Sequence, residues 1–450
     1  MKRAITLLRT RPGFRQLWLG NLISQMGDWI GWVAISVISL KAGGGLLELA
    51  LVFAAHHLPT AALAPVAGPL SDRLDRRTLL VTTALVQAAL TAIMVATALA
   101  GAITWLPGLL LLRSTALAFF IPAERAALPR VVERDELLLA GALDSGTWSV
   151  VFSLGMAVGG LLSALGPVLA LVIDTATFAL AALAFHRLPA MPPEADGGDR
   201  EPTDARLDGA SHSQVPVERA GWSAAMVSDI RSMWQYLWPR PELARAVLAK
   251  TPMALAGGAA WLALNAVAAR EITVEGTALV LGVMHALRGV GTGIGPILAA
   301  TIIGRDRQRH ARVWGGLYMI GLVGMALFVL SPNWWLGAAS VVIWGVGTGG
   351  NWVLSSETMQ RDVVDRYLGR ASALDSCASV LAMSLSVVGA AAVIEMTGSI
   401  AWGGLPWIAL AAAIWGWLNI RVSGIRPDVG GPAHEGEGEP GRPLSLALGS

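Results

Sequence analysis

Apolar stretches of about 20 residues follow one another along almost the whole chain, each long enough at ~1.5 Å per residue to cross roughly 30 Å of hydrocarbon as an α-helix. Twelve can be marked off, near residues 14–40, 46–70, 78–100, 105–124, 137–163, 166–188, 243–269, 277–303, 312–331, 333–357, 368–395 and 400–421. The pattern predicts an all-α integral membrane protein of twelve transmembrane helices. Residues 189–221, between the sixth and seventh spans, are rich in Pro, Gly, Asp, Glu and Ser, which is linker composition. Just beyond, Val227, Ile230, Trp234, Leu237 and Trp238 recur at helical spacing opposite Asp229, Arg231 and Gln235, predicting an interfacial helix over 223–238. The tail, 423–450, contains Gly-Glu-Gly-Glu-Pro-Gly and has the composition of a disordered segment.

Several short strings recur in order at an offset of about 230 residues. Arg11-Pro12 returns as Arg240-Pro241, Asp72-Arg73 as Asp306-Arg307, Val131-Val132-Glu133-Arg134 as Val363-Val364-Asp365-Arg366, and Ala142-Leu143-Asp144-Ser145 as Ala373-Leu374-Asp375-Ser376. The repeats divide the chain into a six-helix bundle over 1–188, a linker over 189–241 and a second six-helix bundle over 242–422. Parallel repeats related about the membrane normal imply a substrate site near the midplane between the halves, with access alternating by rocking.

Composition sharpens the class. Of 450 residues, 54% are hydrophobic and only 14% charged, against about a quarter charged in soluble chains. A soluble enzyme or a nucleic-acid binder is excluded, because the basic residues fall in short blocks between spans rather than on one continuous face. Those blocks are Lys2, Arg3, Arg9, Arg11 and Arg15; Arg73, Arg76 and Arg77; Arg125, Arg130 and Arg134; Arg305, Arg307, Arg309 and Arg312; and Arg361, Arg366 and Arg370. They all fall on one side, while the other offers little beyond Lys41 and Arg270, so both termini and the middle loop are expected in the cytoplasm. Trp105, Trp334, Trp335, Trp402 and Trp407 fall near the opposite ends, as interfacial anchors do. No leader cleavage is expected. The single cysteine, Cys377, excludes an internal disulfide, and no Cys/His cluster has metal-ligand spacing, so no metal or cofactor is expected. Absence of a G-x-S-x-G elbow, an HExxH pair or a nucleotide-binding loop argues against an enzyme; Gly289-Val-Gly-Thr-Gly-Ile-Gly295 lies inside a span, where glycines permit close helix approach.

In its spans, its repeat and its loop motifs, the chain resembles the major facilitator superfamily over residues 10–422. The loop after the second span, Gly68-Pro-Leu-Ser-Asp72-Arg73-Leu-Asp75-Arg76-Arg77, is similar to that family's G-x-L-x-D-R-x-G-R-[KR] signature, with Asp75 in place of the second glycine. Phe14-Arg-Gln-Leu-Trp18, Ser24-Gln25-Met-Gly27-Asp28 and Asp174-Thr-Ala-Thr-Phe178 resemble the branch of siderophore exporters and macrolide efflux proteins. Gly155-Met-Ala-Val-Gly159-Gly160 resembles the antiporter pattern G-P-x-x-G-G, with Met156 for proline. The resemblance implies that Asp72 lies against the start of span 11 near Gly369 to Ser372, and that Arg76 or Arg77 pairs with Glu124, latching the cytoplasmic side. Gly68 and Arg73 belong to that gate, and Asp306, Arg307 and Glu357 are its counterparts in the second half. Asp144 and Asp375 read as symmetry-related gate or helix-start residues.

Charges inside spans are the other signal. Asp28 falls roughly 20 Å along the first span, and Arg113 is similarly deep in the fourth. A charge at such depth costs about 2.5–3.5 kcal/mol on insertion scales if it faces lipid, so both are expected to face the interior. Asn21, Gln25 and Asp28 recur at i, i+4 and i+7 on one helix face. Asp28 and Arg113 are candidates for proton coupling, with a structural ion pair as the competing reading, and His285 is the runner-up protonation site. Asn265, Arg288, Trp344 and Asn351, with Thr348 and Ser355 on the face of Asn351, are candidates for substrate contact, the asparagines also for bonds between helices. His56 and His57, adjacent and so expected on different faces, read as structural; Asp174 and Glu395 have no assigned partners, Asp174 being read as satisfying a helix contact. The expectation is a monomeric, proton-coupled exporter of small amphipathic organic molecules in the bacterial inner membrane. The alternatives are an uncoupled facilitator or importer of a small metabolite, or a membrane sensor.

Overall fold

The computed structural model describes residues 2–41, 45–133, 136–192, 231–270, 273–303, 307–331 and 333–424. Apart from a single 3-10 turn at Ile103–Trp105, the regular elements among them are α-helices. A short amphipathic α1 (Lys2–Thr10) leads into α2 (Pro12–Lys41), α3 (Gly45–Arg73), α4 (Arg76–Leu99), α5 (Leu106–Val131), α6 (Leu137–Leu165) and α7 (Pro167–His186). Residues 231–237 are helical. Then α8 (Pro241–Leu248) runs into α9 (Lys250–Ala269), followed by α10 (Val274–Ile303), α11 (Arg307–Val329), α12 (Trp334–Asp362), α13 (Asp365–Thr397) and α14 (Ile400–Gly424). With α8 and α9 counted as one segment, eleven of these are long and apolar enough to cross a membrane. The twelfth long helix, α12, has 29 residues but is rich in Gly, Trp, Ser, Thr and Asn, which lowers its hydropathy. Helices are the expected solution, since a backbone in hydrocarbon must satisfy its own hydrogen bonds.

In the first group of six, α2 packs on α6 and α7, α3 on α5, and α4 on α5 and α7; in the second, α9 packs on α13 and α14, and α12 on α10 and α11. The two groups meet along two seams, α6 against α10 and α3 against α13. Glycines make the first seam possible. A Cβ on Gly160 would lie 2.6 Å from the Cα of Gly282, so the two backbones touch where any side chain would hold them apart. Two turns along, Gly289 lies against Ser153. Continuing down the same helix faces, Gly293 on α10 and Gly146 on α6 have nothing within 4 Å of a Cβ position.

The second seam behaves alike. At one end the Glu395 carboxylate, on α13, accepts the Leu47 N–H at the start of α3 at 2.8 Å. Gly45, with φ +69°, lets the chain pass where a Cβ would sit 2.8 Å from the same carboxylate. At mid-helix Cys377 Sγ approaches the Ala61 carbonyl at 3.6 Å. Beyond, Gly68 and Gly369 face open space. Both seams are therefore closed from the end remote from the arginine-rich loops to the middle, and the two groups part toward the arginine-rich end.

Aromatic rings reinforce the closed end. Trp261 of α9 sits 5.9 Å from Trp32 of α2 and 4.5 Å from Phe53 of α3, centroid to centroid. His56 and His57 join this cluster, with rings 4.7 Å apart and both against Trp32. Adjacent positions project about 100° apart on a helix, and Trp32 is large enough to meet both rings.

The expected interfacial helix is described only from residue 231; Val227, Asp229 and Ile230 lie outside the described residues. Its buried side chains are Met233 and Leu237, packed with Ala244, Val247 and Met359 of the second group. Trp234 and Trp238 remain half exposed, stacked at 4.9 Å, and Arg421 caps Trp238 from 3.9 Å. The apolar face is thus turned toward Met233, because the second group offers it a partner.

Candidate functional site

Three helices of the first group bring three charges together. Arg113 projects from α5, Asp28 from α2 and Asp174 from α7. The guanidinium bridges both carboxylates, with Nη1 donating to Asp174 at 2.9 Å and Nη2 to Asp28 at 2.5 Å. Side-chain exposure is 2% for Arg113 and 0% for Asp174, but 26% for Asp28. Asp174 fits because Gly27 and Gly31, one turn apart on α2, leave a groove: a Cβ on either would collide with its carboxylate. Phe178, one turn from Asp174, lies under the guanidinium at 5.5 Å. One Asp174 oxygen has no hydrogen-bond partner among the described residues. With both carboxylates ionised the cluster carries one net negative charge, and a single proton neutralises it.

The polar stripe on α2 continues past Asp28. Asn21 donates to Glu124 of α5 at 2.5 Å, and Gln25, between them, keeps a buried oxygen without a partner. Asp144 of α6 is near enough to interact with both Asn21 and Glu124.

In the second group the candidates separate into two kinds. Asn351 accepts from Trp314 at 2.8 Å, Ser355 donates to the Ala246 carbonyl at 3.1 Å, and Asn265 donates to the Trp261 carbonyl on its own helix at 2.8 Å. The first two bonds hold helices together, and the third stays within α9. Arg288, near the middle of α10, is different: its Cζ stands 4.9 Å from the Trp344 ring and 5.0 Å from the Phe152 ring of the first group. His285, one turn before it, is buried with Nδ1 unpartnered.

The arginine-rich loop is organised otherwise than the resemblance implies. Arg76 donates to the Pro192 carbonyl at 2.8 Å and Arg77 approaches His186 at 3.5 Å, while Glu124 is engaged with Asn21. The expected pairing of Arg76 or Arg77 with Glu124 is therefore replaced by a clamp on the segment after α7. Asp75 anchors that clamp, accepting the Thr78 N–H at 2.8 Å, the Thr78 hydroxyl at 2.9 Å and the Met191 N–H at 2.6 Å. Its backbone is extended, φ −63°, so the position does not require the signature's glycine. Burial pushes the Asp75 carboxyl up, but these three hydrogen bonds and Arg77 outweigh it and hold it below the usual range.

Among the remaining gate candidates, Arg73 is exposed, the Asp72 and Arg307 side chains and the whole of Asp306 lie outside the described residues, and Glu357 faces Arg361 at 3.5 Å and His310 at 3.8 Å. Asp375 is ten residues into α13 rather than at its start, and takes a 2.5 Å bond from Lys250 of α9, whose ammonium also lies 4.7 Å from the Trp352 ring. Lys250, Asp174's ion pair and the Glu395 contact were not legible as pairs; a charge inside an apolar run was the available signal for the first two. No grouping of His, Cys, Asp and Glu suited to a metal ion occurs among the described residues.

The profile of the Major Facilitator Superfamily matches residues 17–387. A protein named uncharacterized MFS-type transporter y4rN, from Sinorhizobium fredii (strain NBRC 101917 / NGR234), is 26% identical over 311 residues, 68% of this chain and 70% of that one. The uncharacterized MFS-type transporter YkuC of Bacillus subtilis (strain 168) is 25% identical over 172 residues, 38% of this chain and 40% of its own. Among solved structures, an inward-facing, unoccupied bacterial homolog of the human lysosomal transporter Spinster aligns with TM-score 0.65 at 15% identity, covering 91% of this chain and 98% of that one. The nucleoside transporter NupG aligns with TM-score 0.63 at 13% identity, covering 90% and 98%. At these identities the structural likeness speaks for the fold alone.

Proposed function

The chain belongs to the major facilitator superfamily and is a multi-pass membrane transporter rather than an enzyme, and from that premise we propose that it is a proton-coupled exporter of small amphipathic organic molecules. The observation that carries the coupling is the Asp28–Arg113–Asp174 cluster. It holds one cation and two carboxylates where an unbalanced charge is costly, and Asp28, its accessible member, gives a proton a way in from the interior. Alternation of the two halves would expose the same carboxylate to one side and then the other. Export is supported by the resemblance at residues 14–28 and 174–178 to efflux proteins, and an amphipathic solute by the aromatic side chains of Trp29 and the half-exposed Trp148. On this reading the protein is a monomer of the bacterial inner membrane with the arginine-rich end and both termini cytoplasmic, a placement supported by the one-sided Arg blocks; the halves then part toward the cytoplasm, ready to load.

The test uses proteoliposomes with an imposed proton gradient, a pH-sensitive dye and a panel of cationic, neutral and anionic amphipathic solutes. Solute-triggered loss of the gradient in the parent, absent in Asp28→Asn, is the expected result. Solute movement with no proton flux would replace the coupled exporter with a facilitator, and flux unchanged in Asp28→Asn would remove Asp28 from the coupling step.

A further inference from the structure

Of the cations held inside the helical packing among the described residues, Arg76 donates to the Pro192 carbonyl, and others have side-chain acceptors. Arg113 has two carboxylates, Lys250 has Asp375, and Arg245 donates to Asn419 Oδ1 at 3.0 Å. Arg288 has neither an ion pair nor a side-chain hydrogen bond among the described residues, and its Nε is buried without an acceptor. Its neighbours are the rings of Phe152 and Trp344. Rings offer π-density to a cation but no lone pairs, whereas a guanidinium carries five N–H donors in a fork that fits a carboxylate or a similar oxyanion.

Position makes this side chain reachable. Gly289, the next residue, rests on Ser153, and one turn further toward the arginine-rich end a Cβ on Gly293 would meet nothing within 4 Å. Arg288 therefore stands at the apex of the opening. His285, one turn away, has a ring nitrogen without a partner. The surroundings are aromatic and come from both groups: the buried Phe152 meets Trp29 edge-on at 4.7 Å and stacks with the half-exposed Trp148 at 5.5 Å, and the buried Trp344 covers the second side.

We propose that Arg288 receives the anionic group of the transported molecule, so that the substrate is a small organic anion with a flat aromatic or apolar body lying against Trp148 and Trp29. This rests on the transporter reading above and narrows its substrate class. A completed guanidinium explains why a cation persists at mid-membrane with no carboxylate partner among the described residues.

The experiment compares three probes of one shape and different charge, 1-naphthoate, 1-naphthamide and 1-naphthylmethylammonium. Binding to the purified full chain in nanodiscs is read by calorimetry with no proton gradient. Naphthoate should bind at least tenfold more tightly than the amide, and the ammonium should give no heat. Arg288→Gln should weaken naphthoate tenfold or more while Arg288→Lys, which keeps the charge but not the fork, retains part of it. Thermal melts of both variants guard against a folding defect, and Arg288→Lys keeps the test decisive if Arg288→Gln does not fold. Equal binding of the three probes, preference for the ammonium, no naphthoate binding, or no effect of Arg288→Gln in a folded protein would each overturn the proposal. Naphthoate binding without proton flux in vesicles would refute the coupling reading alone; proton flux driven only by cationic or neutral solutes would refute the anion site alone.

Discussion

Arg113 is held in place by two carboxylates, and its removal leaves both of them inside the protein with no cation. Breaking a buried pair in this way costs about 3–5 kcal/mol, so Arg113→Met should lower the melting temperature in detergent sharply. Asp174→Asn, which leaves a one-to-one pair between Arg113 and Asp28, should be far milder. The double variant Arg113→Met/Asp174→Asn should then be less destabilised than the sum of the singles, a coupling that a double-mutant cycle reads directly; additive effects would mean that the bond at 2.9 Å carries little. The groove that admits Asp174 makes a second prediction at this scale. Gly31→Ala drives a methyl into that carboxylate and should cost about 1–3 kcal/mol, whereas Gly416→Ala, with nothing within 4 Å, should be neutral or slightly stabilising in the same melts. The depth of Asp28 and Arg113 was legible, because a charge inside an apolar run is conspicuous. Their third partner was not, since spacing along one helix says nothing about which neighbouring helix faces it; Asp174 becomes interpretable only when α7 is seen against Gly27 and Gly31 of α2. Lys250 and Asp375 were missed as a pair for the same reason.

The element with most to say is the turn between α3 and α4. As an N-cap, Asp75 serves the first turn of α4, and through Met191 it also ties that turn to the chain leaving α7. Replacing a capping Asp by Ala costs about 0.5–2 kcal/mol, and loss of the Met191 bond should place Asp75→Ala toward the upper part of that range in thermal melts. Because the folded carboxyl sits below its unfolded value of about 3.9, its stabilisation is fully present above that pH and fades as pH falls through the folded value. Melting curves taken from pH 6 downward should therefore converge for the parent and Asp75→Asn only in the acid limit, and a gap that stays constant would refute the assignment. The signature sequence located this loop correctly, but not its contacts. A motif records which residues suit a turn; that Arg76 reaches Pro192 instead of Glu124 depends on the path of the segment after α7. Helix positions, by contrast, were readable nearly throughout, because apolar length is set by the bilayer. Even the polar α12, expected at 333–357, forms, its Gly, Ser and Asn being tolerated where Asn351 and Ser355 bond to Trp314 and the Ala246 carbonyl.

At the scale of the whole molecule, the internal repeat foretold two six-helix groups, and the seams of α3 with α13 and α6 with α10 are the matching pair that such a duplication produces. What a repeat cannot encode is which end is open, because both states of an alternating transporter use one sequence and differ by a few kcal/mol. That information lies in how the seams end: Glu395 on Leu47 and Gly160 on Gly282 at the closed end, Gly68, Gly369, Gly146 and Gly293 facing space at the other. If the halves rock about the middle of these seams, closure at one end must accompany opening at the other. In a Cys377→Ala background, the pair Leu47→Cys with Glu395→Cys should cross-link readily in the resting protein and arrest transport. Gly68→Cys with Gly369→Cys should cross-link slowly, faster when substrate and a proton gradient drive turnover, and the first cross-link should protect the second pair from forming. Simultaneous cross-linking at both ends with full transport would rule out rocking, for it would mean that neither seam opens during the cycle.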